Sequence, residues 1–197
     1  MLKIEYVWRE LLYRAIELNQ PNFTITELAN RFHLSSSMVS HALLPLRGLN
    51  IVKIGKIKST VVDTERLLYF WATRRNLNKE IIYQTYSKVP VSEREATLPA
   101  KVIPTAYSAC RLLFQTTPAD YDKIYFYSTD LLSIKKRFPQ VNNRSPNLLI
   151  LKPDPFLFLY RQIPLAQIFV DLWNLPDWYA GEFIRAIKLI IKEKIGL

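Results

Sequence analysis

The chain is poor in the residues that most often carry recognisable chemistry. Its 197 residues include four glycines (Gly48, Gly55, Gly181 and Gly196), two histidines (His33 and His41) and one cysteine, Cys110. Four scattered glycines exclude GxGxxG and P-loop cradles, which need several glycines close together to bring backbone amides onto phosphate. A single cysteine cannot form an internal disulfide, and with two histidines it makes a poor zinc set. Lying in an apolar helical stretch, Cys110 reads as inert core filler. Long apolar runs are missing too. The longest segment without Asp, Glu, Lys or Arg, residues 32–46, holds four serines and both histidines. A spanning helix needs about 20 mostly apolar residues, so no transmembrane segment and no membrane partner are expected. Glu5 and Glu10 stand where a signal peptide would have its apolar stretch, which points to a cytoplasmic protein.

What is present describes a folded chain. Hydrophobic residues make up 49% and charged residues 22%, which excludes disorder. Against roughly 150 residues per domain, the length fits one large domain or two small ones. The 27 basic and 17 acidic side chains give a net charge of +10, and each half of the chain carries +5. The local distribution is more informative than the total. From Leu28 to Val62 there is no Asp or Glu, while Arg31, Arg47, Lys53, Lys56 and Lys58 all fall there. Such a one-sign field attracts polyanions, nucleic acid first and anionic membrane second, although many charge runs are simply solvated faces.

That window coincides with a pattern of short elements. Ile4, Trp8, Leu11, Ala15 and Leu18 recur at helical spacing over residues 4–18. Thr24 precedes Glu27 by three residues, a capping-box spacing that starts a helix with Leu28, Ala29 and Phe32 inward. Leu34 and Ser35-Ser36-Ser37 make a turn. A further helix follows, with Val39, Ala42, Leu43 and Leu46 on one face and Ser36, Ser37, Ser40 and His41 on the other. Pro45 lacks an amide hydrogen and its ring clashes with the carbonyl of His41, so this helix is expected to be kinked or to end near Leu44. Residues 51–55 and 56–63 are two β-rich segments around Gly55, a hairpin bearing Lys53, Lys56 and Lys58. His33, between Phe32 and Leu34, is expected to be packed or half-buried.

Helix, capped helix, serine turn, helix and basic hairpin in this order resemble the winged helix-turn-helix superfamily over roughly residues 3–64. In that arrangement the second helix of the turn enters the major groove by its N-terminal end, where serine hydroxyls bond phosphates or base edges. The resemblance implies that Ser36, Ser37, Ser40 and His41 face the groove, and that Arg47, Lys53, Lys56 and Lys58 hold phosphates. A protein-docking role for the same unit is the alternative.

Residues 65–100 read as a helical connector and linker. They comprise a helix from Glu65 to Arg75, a short helix over residues 79–87 and an exposed crossover from Lys88 to Lys101. Arg74 and Arg75 suit the C-terminal end of the helix dipole, or extend the phosphate footprint. Residues 101–197 read as a small α/β domain, making the chain α+β overall. Helices are expected at Pro104–Phe114, Leu165–Trp173 and Tyr179–Lys194, buried strands at Lys123–Tyr127 and Asn147–Leu151, and a third strand at Phe156–Tyr160.

This half shows no catalytic signature. Asp120, Asp122 and Asp154 lack the acid-x-lysine spacing of metal-dependent nucleases. With no histidine after His41, a serine triad would have no base here. No catalytic residue, metal or cofactor is assigned. Two segments, Pro104-Thr105-Ala106-Tyr107-Ser108-Ala109 with Leu112, and the run from Pro164 to Trp173, resemble the C-terminal domain of AbiEi-type antitoxins of type IV toxin–antitoxin systems. The resemblance implies double-stranded DNA at the operon's own promoter and a nucleotidyltransferase-type toxin as partners. The sequence thus favours a DNA-binding regulator. Its rivals are a nuclease or nucleotide-processing enzyme targeted by the winged helix, and a protein-docking adaptor.

Overall fold

A computed structural model describes residues 1–196 as a mixed α+β protein, with nine α-helices and two small sheets among those residues. α1 (Lys3–Ile16) leads into a two-residue strand, β1 (Asn22–Phe23), then α2 (Ile25–Phe32), α3 (Ser36–Gly48) and a hairpin of β2 (Val52–Lys53) and β3 (Ser59–Val61). β3 is the central strand, antiparallel to both neighbours. The capping box forms. The Thr24 hydroxyl accepts the Glu27 amide at 3.1 Å, and the Glu27 carboxylate accepts the Thr24 amide at 2.8 Å. Leu28, Ala29 and Phe32 of α2 are buried with Val39, Ala42, Leu43 and Leu46 of α3. α1 stops at Ile16, which leaves Leu18 exposed rather than on its apolar face.

The remainder runs α4 (Thr64–Ala72), a 3-10 turn at Leu77–Glu80, β4 (Ile81–Thr85), α5 (Val91–Ala96), β5 (Ile103–Thr105), α6 (Ala106–Phe114), β6 (Ile124–Tyr127), α7 (Leu131–Arg137), β7 (Leu148–Leu151), a 3-10 turn at Leu157–Leu159, α8 (Leu165–Trp173) and α9 (Ala180–Ile195). The second sheet has the order β4-β7-β6-β5, with a parallel central pair and antiparallel edges. β6 and β7 are covered on both faces. Tyr125, Tyr127, Leu149 and Leu151 join the main core, while Ile124, Phe126, Leu148 and Ile150 pack with Tyr83, Ile134 and Phe138 in a second one. A strand buried on both sides reads as an unbroken apolar run.

Several expectations fail here for physical reasons. Residues 81–85 form an edge strand instead of a short helix, because Tyr83 and Thr85 point inward and the backbone pairs with β7. The segment after it is no linker. Arg94 of α5 is buried, and its guanidinium donates to the Asn147 and Asp122 carbonyls, both at 2.7 Å. Pro104 sits in edge strand β5, where its missing amide interrupts no ladder, and α6 begins two residues later. Leu112 and Leu113 of α6 are exposed. Residues 156–160 make a 3-10 turn and no strand, because Phe156 turns toward Tyr6 and Phe32 while Tyr160 turns toward Tyr13.

α1 is buried almost all round, and the two parts of the chain meet on it. Its apolar residues share one core with α3, α4, α8 and α9. Glu5, Arg9 and Glu10 are buried as well. Arg9 donates to Asp154 through Nη1 at 2.6 Å and Nη2 at 2.8 Å. Burial works against the guanidinium charge, but the Asp154 carboxylate outweighs it and holds Arg9 protonated. Glu5 accepts from Trp71 Nε1 at 2.9 Å and Arg75 Nη1 at 3.3 Å. Arg75 is therefore not a surface cation at a helix end. Its Nε also reaches Asp171 at 3.3 Å, and Asp171 accepts from Thr105, Tyr127 and Gln167. Cys110 lies in this core, its thiol pushed up to about 12 by burial.

Removing one member of a buried ion pair leaves the other uncompensated at a cost of about 3–5 kcal/mol, while replacing both by apolar residues is often neutral. Arg9→Met is expected to lower the unfolding free energy by about that amount, and Arg9→Met with Asp154→Leu to recover most of it. Urea denaturation with the paired variants measures the recovery, and its absence would show that Arg9 acts through other partners.

Glu17, just after α1, accepts the amide of Leu165 at 2.6 Å and so caps the start of α8. Burial pushes its carboxyl up to about 7 from an ordinary 4.5. The folded state then holds this proton more tightly than the unfolded chain does, so stability falls as pH rises from 4.5 to about 7 and stays lower above that. Glu17→Gln removes the titration and is expected to raise Tm at pH values above the Glu17 transition, with the gap closing toward acid. A gap independent of pH would break the assignment.

Candidate nucleic-acid interface

α2 and α3 are joined by a tight turn set by local hydrogen bonding. His33 ends α2 in the left-handed region at φ 50, a conformation that histidine tolerates better than most residues. It is exposed there, against the expectation that it would be packed or half-buried. The Leu34 amide closes the turn on the Ala29 carbonyl at 2.9 Å. The Ser35 hydroxyl caps α3 by accepting the Met38 amide at 3.2 Å. The cap thus falls to the first serine of the run, which leaves Ser36 and Ser37 projecting from the first turn of the helix. Trp8 of α1 holds the other side, its indole N–H donating to the Ala42 carbonyl at 2.9 Å.

Ser36, Ser37, Ser40 and His41 are all exposed on α3, as expected. The helix does not end at Leu44. It runs through Pro45 to Gly48, with Leu44 and Pro45 both exposed. On the solvent side water can replace the missing donor, so the proline shortens nothing. The outer face of α3 therefore has two parts, a polar first half and an apolar second half in which Leu44 is 64% exposed. Arg47 follows in the last turn, also exposed.

The chain passes from α3 through Asn50, at φ 56, into β2, and α3 packs against that strand. In the hairpin Val52 pairs with Val61 and Lys53 with Thr60, so Val52 points inward and Lys53 outward. The tip is built around Gly55. A Cβ there would lie 2.2 Å from the Lys58 carbonyl oxygen, so only glycine fits. Lys56, Ile57 and Lys58 form the exposed tip, and Ile57 is 86% exposed.

Among the described residues, Arg47, Lys53, Lys56 and Lys58 enter no ion pair. Arg31, the other cation of the acid-free window, differs: its guanidinium lies 2.9 Å from the buried Glu10 carboxylate. Two cations outside the window stand beside this surface. Lys3 shares a shallow depression with Ser35, Ser37, Met38 and His41. Arg66 donates to the Leu49 carbonyl just past α3 at 3.1 Å. No local spacing signals either, because both come from neighbouring helices brought in by the fold. Arg74 lies over the Phe70 ring with its guanidinium 3.6 Å from the centroid.

The acids weighed for catalysis are occupied separately. Asp154 is held by Arg9, Asp122 accepts the Tyr179 hydroxyl at 2.7 Å, and Asp120 is exposed. Among the described residues, no three His, Cys, Asp or Glu side chains converge as metal ligands. No helix of the described residues is long and apolar enough to cross a membrane. The chain matches no family model, no curated protein and no solved structure.

A proline inside a helix costs about 3 kcal/mol or more relative to residues that can donate. Pro45 touches solvent on a face that packs against nothing, so Pro45→Ala is expected to stabilise the fold by about 1–3 kcal/mol. Denaturant unfolding reads the gain, and a loss would show that Pro45 has a structural role the exposed position conceals.

Proposed function

We propose that residues 3–64 form a winged helix-turn-helix unit and that the chain is a DNA-binding transcriptional regulator. α3 is the reading helix and the β2–β3 hairpin is the wing. One observation carries this reading: from the start of α3 to the hairpin tip the chain bears four exposed cations, Arg47, Lys53, Lys56 and Lys58, that enter no ion pair among the described residues, and it has no acidic residue from Leu28 to Val62. Such a surface suits a polyanion, and the serine-rich helix N-terminus beside it suits phosphate and base edges. In this reading Ser36, Ser37, Ser40 and His41 face the major groove, Leu44 meets thymine methyl groups, and Arg47, Lys53, Lys56 and Lys58 hold phosphates. We assign the regulator to the antitoxin class, repressing its own operon beside a nucleotidyltransferase-type toxin. That assignment rests on the likeness of residues 104–112 and 164–173 to AbiEi-type antitoxins.

The test is fluorescence anisotropy on the duplex upstream of the chain's own reading frame and on a scrambled duplex, at salt from about 50 to about 300 mM. Promoter binding at least about a hundredfold tighter is expected. At about 0.9 per neutralised phosphate, four contacts give a log–log salt slope of roughly −3 to −4 per protomer. Alanine at Lys56 and Lys58 should flatten that slope by up to about 2 and leave sequence preference intact. Replacing site thymines by uracil removes only the methyl group, worth about fourfold in affinity if Leu44 covers one. Leu44→Ala should be blind to that exchange, whereas alanine at Ser40 or His41 should change which bases are preferred. Equal, weak binding to both duplexes would make the surface a protein-docking face.

A further inference from the structure

A cleft lies among residues of the C-terminal half of the chain. It has a volume of about 320 Å³ and lies between edge strand β5, α6 and the segment before α8. Val102, Ile103, Leu112, Leu113, Ile163 and Ile168 give it an apolar lining, completed by exposed Arg161 and Gln162. Pockets that hold small molecules begin near 300 Å³ and combine apolar walls with a few polar groups that fix orientation. Leu112 is 70% exposed and Leu113 41% exposed, so α6 presents two leucines here that the protein does not cover. Arg161 enters no ion pair among the described residues, and a guanidinium matches a carboxylate with two parallel hydrogen bonds. Apolar walls with one free cation select a ligand with an apolar body and an anionic end.

The wall formed by residues 161–163 continues a segment bolted to the first two helices. Asp154 pairs with Arg9, and Phe156 packs with its ring centroid 5.2 Å from that of Tyr6 and 5.1 Å from that of Phe32. The Tyr160 hydroxyl donates to Glu10 at 2.9 Å, and the Leu165 amide donates to Glu17 at 2.6 Å. A ligand that moves this wall therefore pulls on α1 and on α2, against which α3 is packed.

We propose that this cleft binds a small carboxylic acid with an apolar body, and that its occupancy reaches the α2–α3 unit through residues 154–165. The second part rests on the DNA-binding reading above. The probes are straight-chain carboxylates of about six to ten carbons and the matching alcohols, titrated into the full chain by calorimetry. Saturable one-to-one binding of at least one acid is expected, with Kd below about 1 mM. Arg161→Ala should weaken the acids at least about fivefold and leave the alcohols unchanged. Leu112→Gln, at an exposed position, should weaken both. No saturable acid binding, or equal weakening of acids and alcohols by Arg161→Ala, overturns the site. At a saturating acid concentration, promoter affinity should shift at least about fivefold in the native chain and not in Arg161→Ala. Acid binding with unchanged promoter affinity overturns the transmission. A chain that binds acid but no DNA overturns the DNA-binding reading, with the cleft judged by calorimetry alone.

Discussion

The pairing of Arg9 with Asp154 is the constraint around which the molecule is arranged. A fully buried guanidinium in the middle of a helix cannot be left without an anion, because the cost of desolvating it is several kcal/mol. The anion comes from 145 residues away, on a stretch with no regular structure of its own. That pairing draws residues 152–163 across α1, and the aromatic contacts of Phe156 and Tyr160 follow from it. Glu10 repeats the logic at lower stakes, shared between Arg14 on its own helix, Arg31 on α2 and the Tyr160 hydroxyl. The buried charges on α1 thus tie α2, α4 and the segment from Asp154 to Tyr160 to the same helix.

A second cluster closes the structure from the other side. Arg75 stands between Glu5 of α1 and Asp171 of α8, and Tyr127 of the sheet donates to Asp171 at 2.6 Å. Burial pushes the Asp171 carboxyl up while Arg75 and its hydrogen-bond donors pull it down. Such a network is favourable only when every member is satisfied, which makes it demanding of geometry. Its members come from α1, α4 and the turn after it, β5, β6 and α8, so the cluster joins elements on both sides of the connector expected over residues 65–100. One apolar cluster runs from Phe32 of α2 to Phe183 of α9. The α2–α3 unit and the mixed sheet are joined by charge and by packing at once.

The sequence carries much of this in places where the signal is local. Thr24 and Glu27 declare the start of α2 because the bonds they make lie within four residues. The apolar stretches at residues 124–127 and 148–151 declare buried strands because both of their faces are covered. The bounds of α8 are legible to the residue, since its apolar stretch is long and opens after Pro164. What fails depends on distant partners. β4 has five residues and no alternation strong enough to overrule a helix, and only pairing with β7 decides it. Pro104 carries the usual mark of a helix start, yet its position at a sheet edge is a fact about β6. At Pro45 it is only the early end at Leu44 that fails, and for a different reason. The local rule that a proline breaks a helix holds where the freed carbonyl is buried, and its context here is solvent. At the proposed interface the serines, His41 and the hairpin lysines were legible because charge and turn chemistry are local, whereas Lys3 and Arg66 reach the surface through tertiary packing.

The disposition of the acids explains why net charge becomes a surface property in this chain. Glu5, Glu10, Asp154 and Asp171 are buried, against Arg9, Arg75 and Arg94 among the bases. Four negative charges are therefore spent inside against three positive ones, and the exposed surface is at least as basic as the composition. The interior counter-ions hold the fold together and, by the same act, remove carboxylates that would otherwise soften the outward field. The carboxylates nearest in sequence to α3 and the hairpin, Glu27 and Asp63, cap α2 and α4, and Glu27 lines a depression with Lys58 on the α2 side of the hairpin. The Thr24 hydroxyl holds the Glu27 carboxyl below its ordinary range. A partner approaching this face meets fixed cations around a helix whose first half offers hydroxyls and whose second half offers a leucine. Under the proposed function, the partner is a polyanion with apolar groups set along a groove, as duplex DNA has in its thymine methyl groups.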